Sequence, residues 1–211
     1  MQTDREASEQ IVQIVGELFQ SGHLTPTGGN VSALSGDGET IWITPSGLFK
    51  GALSEESLVH IKPDGSVIQG THKPSVEYQM HFRSYRARKG VTGAVHTHSP
   101  IATAFGICNQ RFDLINTDAV FLADTQIVPW FMPGSQELAA AVGEAIMVSR
   151  GAILQCHGLM TVGKTMRDAA TRAMMLEETA KILLYCRQFG GELTVIPNEW
   201  VERLAAFASF L

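Results

Sequence analysis

Short apolar runs alternate along this chain with longer segments of helical periodicity, and such a pattern satisfies its apolar faces only when helices pack on a sheet. "TIWIT", "LVHI", "VTGAVH", "VFLAD", "QIVPW" and "GAILQCHG" read as strands. "KPDGS" supplies a hairpin turn between "LVHI" and "SVIQ". Ile11, Ile14, Val15, Leu18 and Phe19 recur on one face of a helix over residues 4–20. Pro74 fits the start of a second helix with Val76, Met80 and Tyr85 on its inner face, and a short third helix carries Ile101, Ala104 and Phe105. Ser135 can cap "SQELAAAVGEAIMVS", and Thr165 with Asp168 can cap a long segment that stops at Gly190 and Gly191. Asn198 can cap a last helix whose stripe of Trp200, Leu204, Phe207 and Leu211 packs either on its own core or on another subunit. The expectation is one α/β domain over residues 1–211, with the strand order open.

The charge balance, 16 Lys and Arg against 21 Asp and Glu, lacks the basic excess of a general nucleic-acid binder. Cys108, Cys156 and Cys186 are odd in number and widely spaced, which suits a reducing interior better than a disulfide framework. The first residues have no long apolar core, and no stretch reaches the roughly 18–20 apolar residues of a membrane helix. A cytoplasmic protein without membrane or nucleic-acid partners is the default expectation.

Three elements carry chemistry. In "AVHTHS" the residues His96 and His98 stand two apart, so a strand would aim both imidazoles from one face. They either chelate an ion or sit in a strand with their hydrogen bonds satisfied. His157, at the end of the run "AILQCH" and followed by a glycine, is a third candidate, and three imidazoles form a known zinc donor set. Spacing alone does not decide it, since a strand-end histidine can equally hydrogen-bond through both nitrogens. "TGGN" and "TPSGLFKG" are turns able to nest an anion, with Lys50 directed either into that nest or to solvent. In "HKPSVEYQMH", Ser75 and Glu77 lie near a helix start, where backbone donors favour an anion and a carboxylate can exchange a proton. His81 lies one helical turn beyond Glu77.

The ordered set "PTGGN", "ITPSG", "KPSVE", "VHTHS" and "QCHGL" resembles the class II aldolase and adducin superfamily, particularly its L-fuculose-phosphate-aldolase-like enzymes. The resemblance covers most of the chain. It implies a central, mostly antiparallel sheet flanked by helices, and a homotetramer with active sites near subunit interfaces. It implies zinc, or another divalent ion, on His96, His98 and His157. It places the substrate phosphate on Gly29, Asn30, Ser46, Gly47, Ser75 and the backbone at Val76, with Glu77 as general acid/base. The implied reaction is retro-aldol cleavage of a small ketose 1-phosphate to dihydroxyacetone phosphate and an aldehyde.

Two departures stand out. Val76 occupies a position where fuculose-type enzymes often carry serine, and a family tyrosine from a neighbouring subunit falls at about Thr117, next to Asp118. Related alternatives are a methylthioribulose-1-phosphate dehydratase and a sugar-phosphate 4-epimerase, the latter often bearing aspartate where this chain has Glu77. A noncatalytic adducin-like interaction domain is the alternative from a different class.

Overall fold

The computed structural model describes residues 4–207. Its centre is an eight-stranded sheet formed by β1 (Asn30–Leu34), β2 (Ile41–Ile43), β3 (Val59–Ile61), β4 (Val67–Gln69), β5 (Gly93–Thr97), β6 (Gln126–Val128), β7 (Gly151–Leu154) and β8 (Gly158–Gly163). The spatial order is β4-β3-β2-β1-β5-β8-β7-β6, and every pair is antiparallel except β6 with β7. This is the central, mostly antiparallel sheet flanked by helices that the sequence motifs imply. The "KPDGS" turn joins β3 to β4 as expected.

Successive side chains leave a strand on opposite faces, and each face of this sheet acquires its own helices. On one face, Ile41, Ile43, Ala94 and Val162 pack with Met80, Phe82 and Tyr85 of α2 (Tyr78–Ala87) and with Leu138, Val142 and Ile146 of α5 (Gln136–Val148). On the other, Val31, Ala33, Trp42 and Val95 pack with Ile11, Ile14 and Leu18 of α1 (Asp4–Gln20) and with Ala169 and Ala173 of α6 (Met166–Phe189). Further along that side, α3 (Pro100–Ile107) brings Ala102 and Phe105 against Ile153, Leu159 and Leu176. The helix caps use local polar groups. Ser135 accepts from the Leu138 N–H, while Thr165 and Asp168 form a reciprocal capping box.

Several local expectations change. "VFLAD" is helical and then turning: the Asn116 side chain accepts from the Ala119 N–H and starts α4 (Thr117–Phe121), overriding the β character of Val120 and Phe121. Pro74 does not begin α2. It bridges to Pro45, Glu77 occupies the cap position, and Val76 is 63% exposed. Within α3, Ala104 is exposed while Ala102 and Phe105 are buried. The last helix, α7 (Asn198–Phe207), includes Asn198 rather than being capped by it, and none of its described residues is buried. Its apolar stripe is therefore not covered by the chain's own core: Trp200 is 49% and Phe207 63% exposed, and Leu211 lies outside the described residues. No helix among the described residues is long and apolar enough to cross a membrane.

One close approach holds the active end of the sheet together. A Cβ at Gly158 would lie 2.1 Å from the Thr97 carbonyl oxygen, so only glycine lets β8 meet β5 there. Gly158→Ala is expected to destabilise the fold by about 1–3 kcal/mol, the usual cost of overpacking, read as a lower urea midpoint with an unchanged m-value. An unchanged midpoint would show that the strands can separate without cost.

Candidate active site

The register of the sheet assembles the histidines. His96 is paired with Asn30 on β1 and with Met160 on β8. Its Nδ1 donates to the Leu159 carbonyl at 2.7 Å, which fixes the ring and leaves Nε2 facing inward. His98 lies just past β5, with its backbone N–H donating to the His23 carbonyl at 2.9 Å. Its ring rests where a Cβ at Gly28 would be, 2.5 Å from Nδ1, so "TGGN" needs glycine there to admit the imidazole. His157 does not end a strand: β7 stops at Leu154, and the ring emerges from the turn to β8 after Cys156, whose φ is +56°. One ring nitrogen from each of the three lies within 4.8 Å of the others. The Nε2 atoms of His96 and His98 are 3.1 Å apart, close to the roughly 3.3 Å between nitrogens that each sit about 2.05 Å from a tetrahedral ion.

Glu77 closes the cluster. Its Oε2 lies 3.4 Å from His96 Nε2 and its Oε1 3.2 Å from His157 Nε2. Burial pushes His96 down to about 3, with His157 and His98 adding to the fall and Glu77 opposing it. Burial likewise pushes His98 down. For Glu77, burial acts upward, but His96, His157 and a hydrogen bond from Asn30 outweigh it and hold the carboxyl below its ordinary range. The imidazole of His96 is thus neutral at pH 7, with a lone pair directed at an ionised carboxylate. Two electron-rich groups buried at that distance repel unless a cation lies between them. Beyond His157 Nε2, Oε1 of Glu77 has no hydrogen-bond partner. These residues fit a divalent ion, which neutral imidazoles and a carboxylate bind readily.

The anion-nest candidates converge beside this cluster. Thr44 N–H donates to the Val31 carbonyl, and the Pro45–Pro74 bridge sets "TPSG" against "KPS". The backbone N–H groups of Ser46 and Ser75 are engaged by the carbonyls of Lys73 and Thr44, leaving their hydroxyls as the donors for a ligand. Ser75 Oγ accepts from the Glu77 N–H at 3.3 Å. Ser46 and Gly47 are exposed, and Gly29 and Gly47 both have positive φ. Asn30, expected on the phosphate, spends one amide hydrogen on Glu77 Oε2 at 2.7 Å and sets its oxygen 2.5 Å from His81 Nε2, which leaves its second amide hydrogen for an anion. Lys50, left open by the sequence, is buried, with its ammonium donating to the Pro45 carbonyl at 3.2 Å and its pKa pushed down by burial.

Thr117 is exposed on α4, and Asp118 lines a cavity of about 190 Å³ with Arg150 and Arg172 that includes none of the site residues. His81 lies near Glu77 as its spacing of one helical turn suggests, but it bonds Asn30, whose place between the two has no signal in the local sequence.

The profile described as "Class II Aldolase and Adducin N-terminal domain" matches residues 9–184. The chain belongs to this family. An L-fuculose phosphate aldolase of Methanococcus maripaludis is 34% identical over 174 residues, covering 82% of this chain and 93% of the relative. A 5-deoxy-D-ribulose 1-phosphate aldolase of Bacillus thuringiensis is 31% identical over 198 residues, covering 93% and 92%. A 3-oxo-tetronate 4-phosphate decarboxylase of Escherichia coli is 30% identical over 187 residues, covering 85% and 87%. Among solved structures, an L-fuculose 1-phosphate aldolase superposes with a TM-score of 0.89 over 100% of this chain and 99% of its own, at 24% identity, which supports the fold.

His81, fully buried and pushed down to about 4 by burial against the opposing pull of Glu77, links stability to pH. Below its unfolded pKa of about 6.5, the unfolded chain binds a proton that the folded chain refuses, so stability falls as pH drops from 6.5 towards 4. Between pH 7 and pH 5 this ring alone accounts for about 2 kcal/mol. Urea titrations of the metal-free protein should show that His81→Gln loses about that much less than the parent. Identical losses would mean that the ring is free to protonate in the fold.

Proposed function

We propose that this member of the class II aldolase family cleaves a small ketose 1-phosphate to dihydroxyacetone phosphate and an aldehyde, using a divalent ion, preferably zinc, on His96, His98 and His157. The observation that carries this reading is the Glu77 carboxylate, 3.2–3.4 Å from Nε2 of two of those histidines and on the same short segment as Ser75. Aldolase-named relatives that span most of the chain support an aldolase-type lyase and a phosphorylated substrate. A bound ion supplies Lewis-acid stabilisation of negative charge on the substrate's carbonyl oxygen.

The protein's own groups do the rest. The hydroxyls of Ser46 and Ser75 and the second amide hydrogen of Asn30, with the backbone around Gly29, Gly47 and Val76, would hold the phosphate and so set the distance from phosphate to reacting carbon. Cleavage leaves an electron pair on the carbon next to the carbonyl, and Glu77, having taken a proton from solvent water, would deliver it to that carbon. No lysine Schiff base is needed. The proton lost from the distal hydroxyl would pass to water or to a side chain other than Thr117, which lacks the acidity and reach of a phenol.

The decarboxylase relative favours a second reading, because loss of carbon dioxide from a 3-oxo acid leaves the same kind of electron pair beside a carbonyl. The two reactions differ in what departs, an aldehyde or carbon dioxide. A mass-resolved screen should therefore include fuculose, rhamnulose and deoxyribulose 1-phosphates, methylthioribulose 1-phosphate and a 3-oxo acid phosphate. Dihydroxyacetone phosphate with an aldehyde is the expected result. Loss of water, an intact stereoisomer or carbon dioxide would each replace the aldolase reading.

Two variants test the roles. Glu77→Gln should keep its metal while turnover falls by roughly 10²- to 10⁴-fold; near-parental turnover in the folded, metal-loaded variant would defeat the acid/base assignment. Ser46→Ala and Ser75→Ala should weaken calorimetric binding of the phosphorylated ketose more than that of the free sugar. Equal losses would reduce both serines to turn supports.

A further inference from the structure

Behind Glu77 runs a file of buried polar groups that, beyond Asn30, the proposed chemistry does not use. Asn30 and Ser32 stand two apart on β1 and face one side of the sheet. Glu77, His81 and Tyr85 stand four apart along α2 and its cap, and so face back at them. The two sets interleave. Asn30 Nδ2 is 2.7 Å from Glu77 Oε2, His81 Nε2 is 2.5 Å from Asn30 Oδ1, and Ser32 Oγ is 2.7 Å from His81 Nδ1. The Tyr85 hydroxyl lies 2.8 Å from Ser32 Oγ and 2.8 Å from the Ser32 carbonyl. His81 and Ser32 have no exposed surface, so bulk water cannot stand in for the partners of either.

The protons in this file have one consistent order. Asn30 turns its amide nitrogen to Glu77 Oε2 and its oxygen to His81 Nε2. That oxygen needs a donor, which places the proton of the ring on Nε2. Burial keeps the ring neutral at pH 7, so Nδ1 is an acceptor, and the Ser32 hydroxyl donates to it. At the far end the Tyr85 hydroxyl donates to the Ser32 carbonyl and fixes the strand that carries Ser32. From His81 onward each donor points towards Glu77. Turning the Asn30 amide over would put two acceptors 2.7 Å apart and would drive the carboxylate to rotate away or to take up a proton.

We propose that His81 is a positioning residue: its Nε2–H locks the Asn30 amide, and the locked amide aims the Glu77 carboxyl group at the reacting carbon. The proposal rests on the acid/base reading of Glu77 but makes a claim about hydrogen-bond order that is independent of it.

The test uses the full chain loaded with zinc. His81→Phe keeps a ring but removes the donor, and kcat should fall roughly 10- to 100-fold, as is usual when an orienting partner is lost, while KM and zinc content hold. In the Glu77→Gln background the same change should cost nothing further, because His81 acts only through the carboxylate. A multiplicative loss in the double variant, or a rise in KM at constant kcat, would overturn the proposal. Near-parental turnover of Glu77→Gln alone would remove the catalytic role and the acid/base reading together. Imidazole nitrogen NMR decides the hydrogen-bond order separately, and it does not require the Phe variant to fold. The parent should show His81 as the neutral Nε2–H tautomer, and Ser32→Ala should admit the other tautomer. An Nδ1–H tautomer or an imidazolium in the parent at neutral pH would overturn the lock.

Discussion

The site depends on the antiparallel register of β5 between β1 and β8. Opposing residues on paired strands face the same side of a sheet, so pairing Asn30 with His96 places the amide and the imidazole together under α2. Pairing Thr97 with Leu159 brings the start of β8, and the turn carrying His157, up to the end of β5. A slip of one residue in either ladder would send His96 to the α1 face and dismantle the cluster. Glycines at 28 and 158 permit the close approaches that this register demands, one against the His98 ring and the other against the Thr97 carbonyl.

Burial then gives the assembled groups their chemistry. Away from water, His96 and His81 stay neutral, although a carboxylate lies close enough to favour their charged forms. Neutral rings can ligate on one side of Glu77 and donate through Asn30 on the other. The same carboxylate therefore meets two environments: imidazole lone pairs that call for a cation, and an amide N–H that stabilises its charge. A group held this way is ionised at rest, yet stands beside the positions where a metal and a phosphate would orient a substrate, which is the arrangement a proton-transfer residue needs.

Much of this was legible in the sequence, and the gaps have physical causes. The α1 and α5 helices announced themselves by apolar periodicity, because one face of each meets the sheet, and α6 by its Thr165–Asp168 cap and its stop at Gly190. β1 did not read as a strand, since the side facing α2 carries Asn30 and Ser32 where apolar residues would mark a core. Those buried polar residues are the ones that engage His81 and Tyr85. "VFLAD" misled in the opposite sense, because its aromatic and β-branched residues suit a strand while Asn116, just upstream, caps a helix. The three histidines and Glu77 could be named from the motifs, but their mutual geometry depends on long-range pairing that no local pattern encodes. Lys50 shows the same limit: nothing in "GLFKGAL" signals that its ammonium lies buried against the Pro45 carbonyl.

The central claim is that one cation reconciles the buried carboxylate with the three imidazoles. X-ray absorption at the zinc edge on protein purified without chelator tests it most directly. One zinc per chain with three nitrogen ligands at about 2.0–2.1 Å and an oxygen in the remaining position is expected, with loss of that signature in His96→Ala. Protein equilibrated with zinc that binds none, or binds it with an unchanged spectrum in His96→Ala, would contradict it.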